Sequence, residues 1–143
     1  MNEETLNSTF AAGIAILDPL LVPNDFHFHT DSPGRSSGGL STSGFYQRGD
    51  RKLELHLRYS LGLVAYHLGL VSLSHEDYMW AVIGKRGASS YPGFSQDPLD
   101  GFRHLFRDLD EHGSAFLAGS DDEFLALADR VAVLRRTVRP LPS

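Results

Sequence analysis

The chain has 143 residues, the length of one ordinary domain, and can bury a core without help from a metal ion or a disulfide. Hydrophobic residues make up 41% of it and the formal net charge is −5, which is typical of a folded, soluble protein and excludes a disordered one. The absence of cysteine excludes disulfides, thiolate metal sites and cysteine nucleophiles. We therefore expect a single domain over residues 1–143.

The start of the chain gives no targeting signal. Residues 1–6 are acidic and polar, where a secretory signal is basic and then apolar. Residues 10–22 form an apolar stretch that is short and interrupted, so we do not expect it to span a bilayer. These features, together with the absence of cysteine, predict a cytoplasmic protein without a membrane partner.

The first predicted elements are a helix and a short strand. Apolar residues at helical spacing predict a helix over residues 3–17, which ends at Asp18 and Pro19 because proline disfavours a helical residue before it. Residues 26–29 alternate phenylalanine with histidine, the pattern of a strand. Residues 31–39 are rich in glycine and serine and are predicted to form a loop.

A hairpin is the clearest pattern in the chain. Gly49 and Asp50 form a turn between residues 40–48 and 51–59, and residues 63–68 continue as another strand. The second of these strands alternates leucines (Leu53, Leu55 and Leu57) with polar residues (Lys52, Glu54 and His56). One face of the sheet is therefore expected to be buried and the other solvated, in an antiparallel meander of about four strands.

Three helices are predicted after the meander, each with its own start signal. Ser74 precedes a helix that ends at Gly84, Asp97 and Pro98 precede one that ends at Gly113, and Ser120 precedes the last. Because strands and helices are segregated along the chain, we predict an α+β fold. In this fold the N-terminal helix and the three C-terminal helices pack on one face of the sheet.

The histidines allow one reading as a metal or ligand site. His27 and His29 lie on the same side of one predicted strand, and His56 lies on the solvated face of another. If the first and third strands met in matched register, the three imidazoles would converge, with Asp31 or Glu54 as a carboxylate ligand. The alternative is that these histidines only solvate the polar face of the sheet.

Charge is distributed unevenly. Residues 91–134 carry nine acidic and three basic residues. We predict that this helical region binds a basic protein partner through Asp108, Asp110, Glu111, Asp121, Asp122 and Glu123. Four cations, Arg48, Arg51, Lys52 and Arg58, gather on the hairpin and are expected to make the solvated sheet face the more basic one. They do not form the large basic field of a nucleic-acid-binding protein.

The order of a leading helix, an antiparallel meander and trailing helices, with the segments Arg-Gly-Asp-Arg-Lys-Leu-Glu-Leu-His-Leu-Arg at 48–58 and Tyr-Pro-Gly-Phe at 91–94, resembles small uncharacterised bacterial α+β proteins. Proteins of this general kind include the immunity proteins encoded beside polymorphic toxins. The resemblance lies in the layout, covers most of the chain and transfers no functional residue. Together with the lack of a specific catalytic motif and with the acidic helical region, this resemblance favours a non-enzymatic, protein-binding role without a cofactor, such as neutralising a basic toxin.

Two alternatives stay open. The first is that the chain is a small metal- or ligand-binding protein, or an enzyme, that uses the histidines on the polar face of the sheet. Self-association as a homodimer, through a sheet edge or the region of Trp80, is compatible with either function.

Overall fold

The protein is an antiparallel sheet covered on one face by helices, as shown by a computed structural model that describes residues 3–31, 34–36, 39–58, 60–85 and 97–138. The helices are α1 (Glu3–Leu21), α2 (His75–Ile83), α3 (Asp100–His112), α4 (Ser114–Leu117) and α5 (Asp121–Val138). The strands are β1 (His27–Thr30), β2 (Gly34–Ser36), β3 (Gly39–Arg48), β4 (Arg51–Leu57), β5 (Leu61–Leu68) and β6 (Val71–Ser74). This order confirms the predicted α+β fold.

The main sheet has the strand order β1-β3-β4-β5-β6, and every neighbouring pair is antiparallel. The main sheet therefore has five strands in this order, one more than the four expected, because β6 was not predicted. A further short strand, β2, pairs with β3 inside the predicted loop 31–39. The turn at Gly49 and Asp50 lies where the sequence places it, and Gly49 has a positive φ of 60°, which suits glycine.

The core lies between the sheet and the helices. In β4, Leu53, Leu55 and Leu57 are fully buried, while the residues between them are partly exposed. Leu53 is paired with Tyr46 of β3 on one side and Tyr66 of β5 on the other, and both rings are fully buried. The predicted two-faced sheet is thus present, and we call the face that carries Lys52, Glu54 and His56 the outer face.

Helix α1 is longer than predicted. It continues through Pro19 to Leu21, and a 3-10 turn at Val22–Asn24 follows. Pro19 has no N–H to donate within the helix. The hydroxyl of Tyr46 lies 3.1 Å from the carbonyl oxygen of Ile14 and 2.7 Å from Asp18 Oδ1, and the Leu21 side chain is fully buried. These tertiary contacts outweigh the local cost of the proline.

Helix α1 contains the apolar stretch that lies near the start of the chain. Residues 4–24 have a mean hydropathy of 1.4 and make the one described helix that is long and apolar enough to cross a membrane. Leu6 and Leu17 of the same helix are buried in the core.

The C-terminal helices begin near the residues that the sequence predicts. The Ser74 hydroxyl accepts a hydrogen bond from the amide of Asp77 at 3.1 Å, and that of Ser120 accepts one from the amide of Glu123 at 3.2 Å. The short helix α4 was not predicted. The aromatic segment 91–94 lies outside the described residues.

Candidate functional site

The three histidines proposed as a metal site do not converge, because β3 lies between β1 and β4. His27 and His29 project from β1, and the ring of His29 stacks on Phe45 of β3 with centroids 5.2 Å apart. His56 lies on β4, two strand spacings or about 10 Å from β1. The premise that the first and third strands meet was therefore wrong.

His56 belongs instead to a different group on the outer face, in which Glu54 bridges two histidines. Its carboxylate lies 2.5 Å from His56 Nε2 and 2.8 Å from His67 Nε2 of β5. Sequence analysis missed His67, which becomes a neighbour through the β4–β5 register that pairs it with Lys52. In the described part of the chain, no group of three or more histidine and acidic side chains is arranged to hold a metal ion.

The electrostatics of this group favour an ionised carboxylate. Partial burial by itself raises the pKa of Glu54, but the hydrogen bonds from His56 and His67, and their charges, outweigh burial and leave the pKa below its ordinary value. The arrangement fixes both imidazoles on the sheet surface. It offers their outer ring edges to solvent.

Replacing Glu54 by glutamine tests this group through the pH dependence of the free energy of unfolding. Because the folded-state pKa of Glu54 is below 4.5, its carboxylate stabilises the fold above that pH, and the contribution disappears as the pH falls through the folded-state pKa. We expect Glu54→Gln to cost less than about 1 kcal/mol near neutral pH, since the group is partly solvated, and nothing in acid. Urea unfolding of the original protein and of Glu54→Gln at both pH values measures this cost. An equal cost in acid would contradict this assignment.

The six acidic residues predicted to bind a partner divide into two environments. Asp108 is buried at 3% exposure, and its Oδ2 lies 2.8 Å from His75 Nε2. The other five, Asp110, Glu111, Asp121, Asp122 and Glu123, are exposed. Asp108 therefore does not contribute to the acidic surface, because its position on α3 faces the core.

Asp108 completes a buried polar chain that sequence analysis missed. The Tyr66 hydroxyl lies 2.7 Å from His75 Nδ1, and all three side chains are almost fully buried. Burial, with the charges of Tyr78 and Asp108, raises the pKa of Tyr66 well above its ordinary value, so the hydroxyl stays protonated beside Nδ1. His75 donates from Nε2 to Asp108. These hydrogen bonds join β5, α2 and α3. Because all three side chains are buried, a substrate has no access to them.

The five exposed carboxylates lie at the two ends of the connection between α3 and α5, and we call them the acidic end. Asp110 and Glu111 are in the last turn of α3, the other three are in the first turn of α5, and only residues 113–120 separate the two helices. Tyr78 contacts both sides: its hydroxyl donates to the carbonyl of His112 at 2.9 Å, and the Glu123 charge acts on it. Burial raises the pKa of Tyr78 to about 12.

Two arginines of the hairpin hold this end in place. Arg48 donates to the carbonyl oxygens of Asn24 at 2.6 Å and Leu117 at 2.7 Å. Arg51 is only 6% exposed and donates to the carbonyls of Phe116 and Gly119 and to Asp121. For Arg48 and Arg51 the expectation that these cations face the solvated side of the sheet was wrong, since both guanidinium groups are turned towards the helical layer. Lys52 lies on the outer face, as expected.

Comparison of the chain with profiles of protein families, with curated proteins and with solved structures gives no match.

Proposed function

We propose that the protein binds another protein with a basic contact surface through the acidic end, with neutralisation of a toxin as its most concrete form. The observation that supports this proposal is the concentration of five exposed carboxylates at the junction of α3 and α5. Within the described residues, the ion pairs at this junction are Arg51 with Asp121 at 2.9 Å and His112 with Glu111 at 3.7 Å. The field of the remaining carboxylates is available to a partner.

The position of Asp110 and Glu111 argues against a purely structural role. Carboxylates in the first turn of α5 stabilise that helix through its dipole, and therefore need no partner to explain them. Asp110 and Glu111 lie in the last turn of α3, where the dipole opposes negative charge. Binding of a basic partner gives these two carboxylates a function.

An exposed leucine lies at the same end of the sheet as the turn that precedes Arg51. Leu70 forms the turn between β5 and β6 with Gly69, and its side chain is fully exposed. The amide of Gly69 donates to the carbonyl of Asp50 at 3.0 Å, which joins this turn to the β3–β4 turn beside Arg51. An apolar side chain beside a charged surface is suited to anchor a protein partner.

The charge reversal Asp110→Lys tests the proposal. We expect it to weaken capture of the partner about tenfold, while the free energy of unfolding stays within about 0.5 kcal/mol of the original protein. The measurement is affinity capture from the source cells with tagged protein, quantified by mass spectrometry at low and high salt, together with urea unfolding of the purified variant. The captured protein should be basic and should be released by salt.

Asp129→Lys is the matched control, because it makes the same charge change at an exposed position two turns into α5. It should leave capture nearly unchanged. Equal capture by the original protein and by Asp110→Lys, or capture of an acidic protein that resists salt, would contradict the proposal.

A further inference from the structure

A groove between α1 and the sheet edge has the features of a small-molecule site. It has a volume of about 440 Å³, within the range of small-molecule sites. None of its residues belongs to the acidic end. Its lining includes Phe10, Ala11, Ile14, Ala15, Asp18 and Phe28.

Two aromatic rings form the apolar part of the groove. The rings of Phe10 and Phe28 meet edge to face, with centroids 5.7 Å apart, and Phe28 also packs on Tyr46 at 5.2 Å. A Cβ at Gly44 would lie 2.4 Å from the Phe28 ring, so glycine is what lets this ring lie against β3. The rings are thus held in place before any ligand arrives.

The polar part of the groove includes a carboxylate that is held in place. Asp18 is the one ionisable residue in the described lining, and its Oδ1 lies 2.7 Å from the Tyr46 hydroxyl. Burial, together with the hydrogen bond and charge of Asp18, raises the pKa of Tyr46, so the hydroxyl stays protonated and holds the carboxylate. Because Pro19 has no N–H, the carbonyl oxygen of Ala15 receives no helical hydrogen bond from it.

The geometry points to a ligand that is a small organic cation: an amine whose ammonium group meets Asp18 and whose apolar body lies against Phe10 and Phe28. A fixed carboxylate without a neighbouring cation in the described lining selects positive charge. The C-terminal half of α1 adds the negative end of its dipole.

Three probes of matched shape test this site: phenethylammonium, the neutral phenethyl alcohol and the anionic hydrocinnamate. We expect NMR titration of the full chain to give the ammonium an affinity about tenfold higher than the alcohol, and the anion the weakest binding. Amide shifts should concentrate on α1, β1 and β3. Equal affinity for ammonium and alcohol, or no binding at millimolar concentrations, overturns the proposal.

Variants locate the selectivity. Asp18→Asn should reduce the affinity for the ammonium to that for the alcohol. Asp25→Asn is the control: it makes the same change at an exposed residue with a φ of 67°, a conformation that asparagine accepts. Ala11→Leu, on the exposed side of α1, should fill the groove and weaken both ligands alike. Retained preference for the ammonium in Asp18→Asn overturns the assignment of Asp18.

Discussion

Replacing Asp108 by alanine should lower the free energy of unfolding by about 2–4 kcal/mol, whereas Asp110→Ala should change it by less than about 0.5 kcal/mol. The two residues are two positions apart on α3, but Asp108 is buried against His75 and Asp110 is exposed. Removing the Asp108 carboxylate leaves a buried imidazole N–H without this acceptor and also leaves a cavity. Urea unfolding monitored by circular dichroism measures both variants.

A double-mutant cycle distinguishes the coupling between His75 and Asp108 from the cost of removing side-chain volume at each position. If His75 and Asp108 act together, His75→Ala combined with Asp108→Ala should cost less than the two single changes added together. Strict additivity, or a cost for Asp108→Ala as small as that for Asp110→Ala, would show that the polar chain through Tyr66 does not support the core.

Arg51→Ala should also be strongly destabilising, by about 3 kcal/mol, while Lys52→Ala should cost less than about 1 kcal/mol. The buried guanidinium group of Arg51 serves two carbonyl oxygens and one carboxylate across the α4–α5 connection. The neighbouring Lys52 points to the outer face, where its ammonium lies 4.3 Å from the centre of the Phe45 ring. Thermal unfolding and urea unfolding of both variants provide the measurement.

The physical reason for the difference is the number of buried partners. Without Arg51, the carbonyls of Phe116 and Gly119 lose a charged donor, and the first turn of α5 is no longer tied to the sheet. Faster hydrogen exchange in α4 and at the start of α5 should accompany the loss. If Arg51→Ala and Lys52→Ala cost the same, the inward orientation of Arg51 is wrong.

Local patterns were enough to predict much of the fold. The alternation of leucines with polar residues in β4 determines which side of the strand is buried, because successive side chains point to opposite faces. The serines before α2 and α5 predict helix starts because their hydroxyls accept from amides that lie within the same turn. Such signals can be read from the sequence because the interacting residues are close neighbours along the chain.

Features that depend on distant contacts could not be predicted. Asp108 reads as part of an acidic run, but its burial depends on His75, which lies 33 residues earlier. The pairing of Glu54 with His67 depends on the register of β4 and β5, and the continuation of α1 past Pro19 is supported by Tyr46. For His75, the spacing to Tyr78 and Met79 was a usable signal, since all three lie on the buried face of α2.

The most direct test of the acidic end is carboxyl labelling with carbodiimide and an amine, read by mass spectrometry, on the free protein and on its complex with the captured partner. Asp110 and Asp122 should react in the free protein and become protected in the complex. Asp129 should react in both states, and buried Asp108 in neither. Unchanged reactivity of Asp110 and Asp122 in the complex would contradict the proposal that the partner binds there.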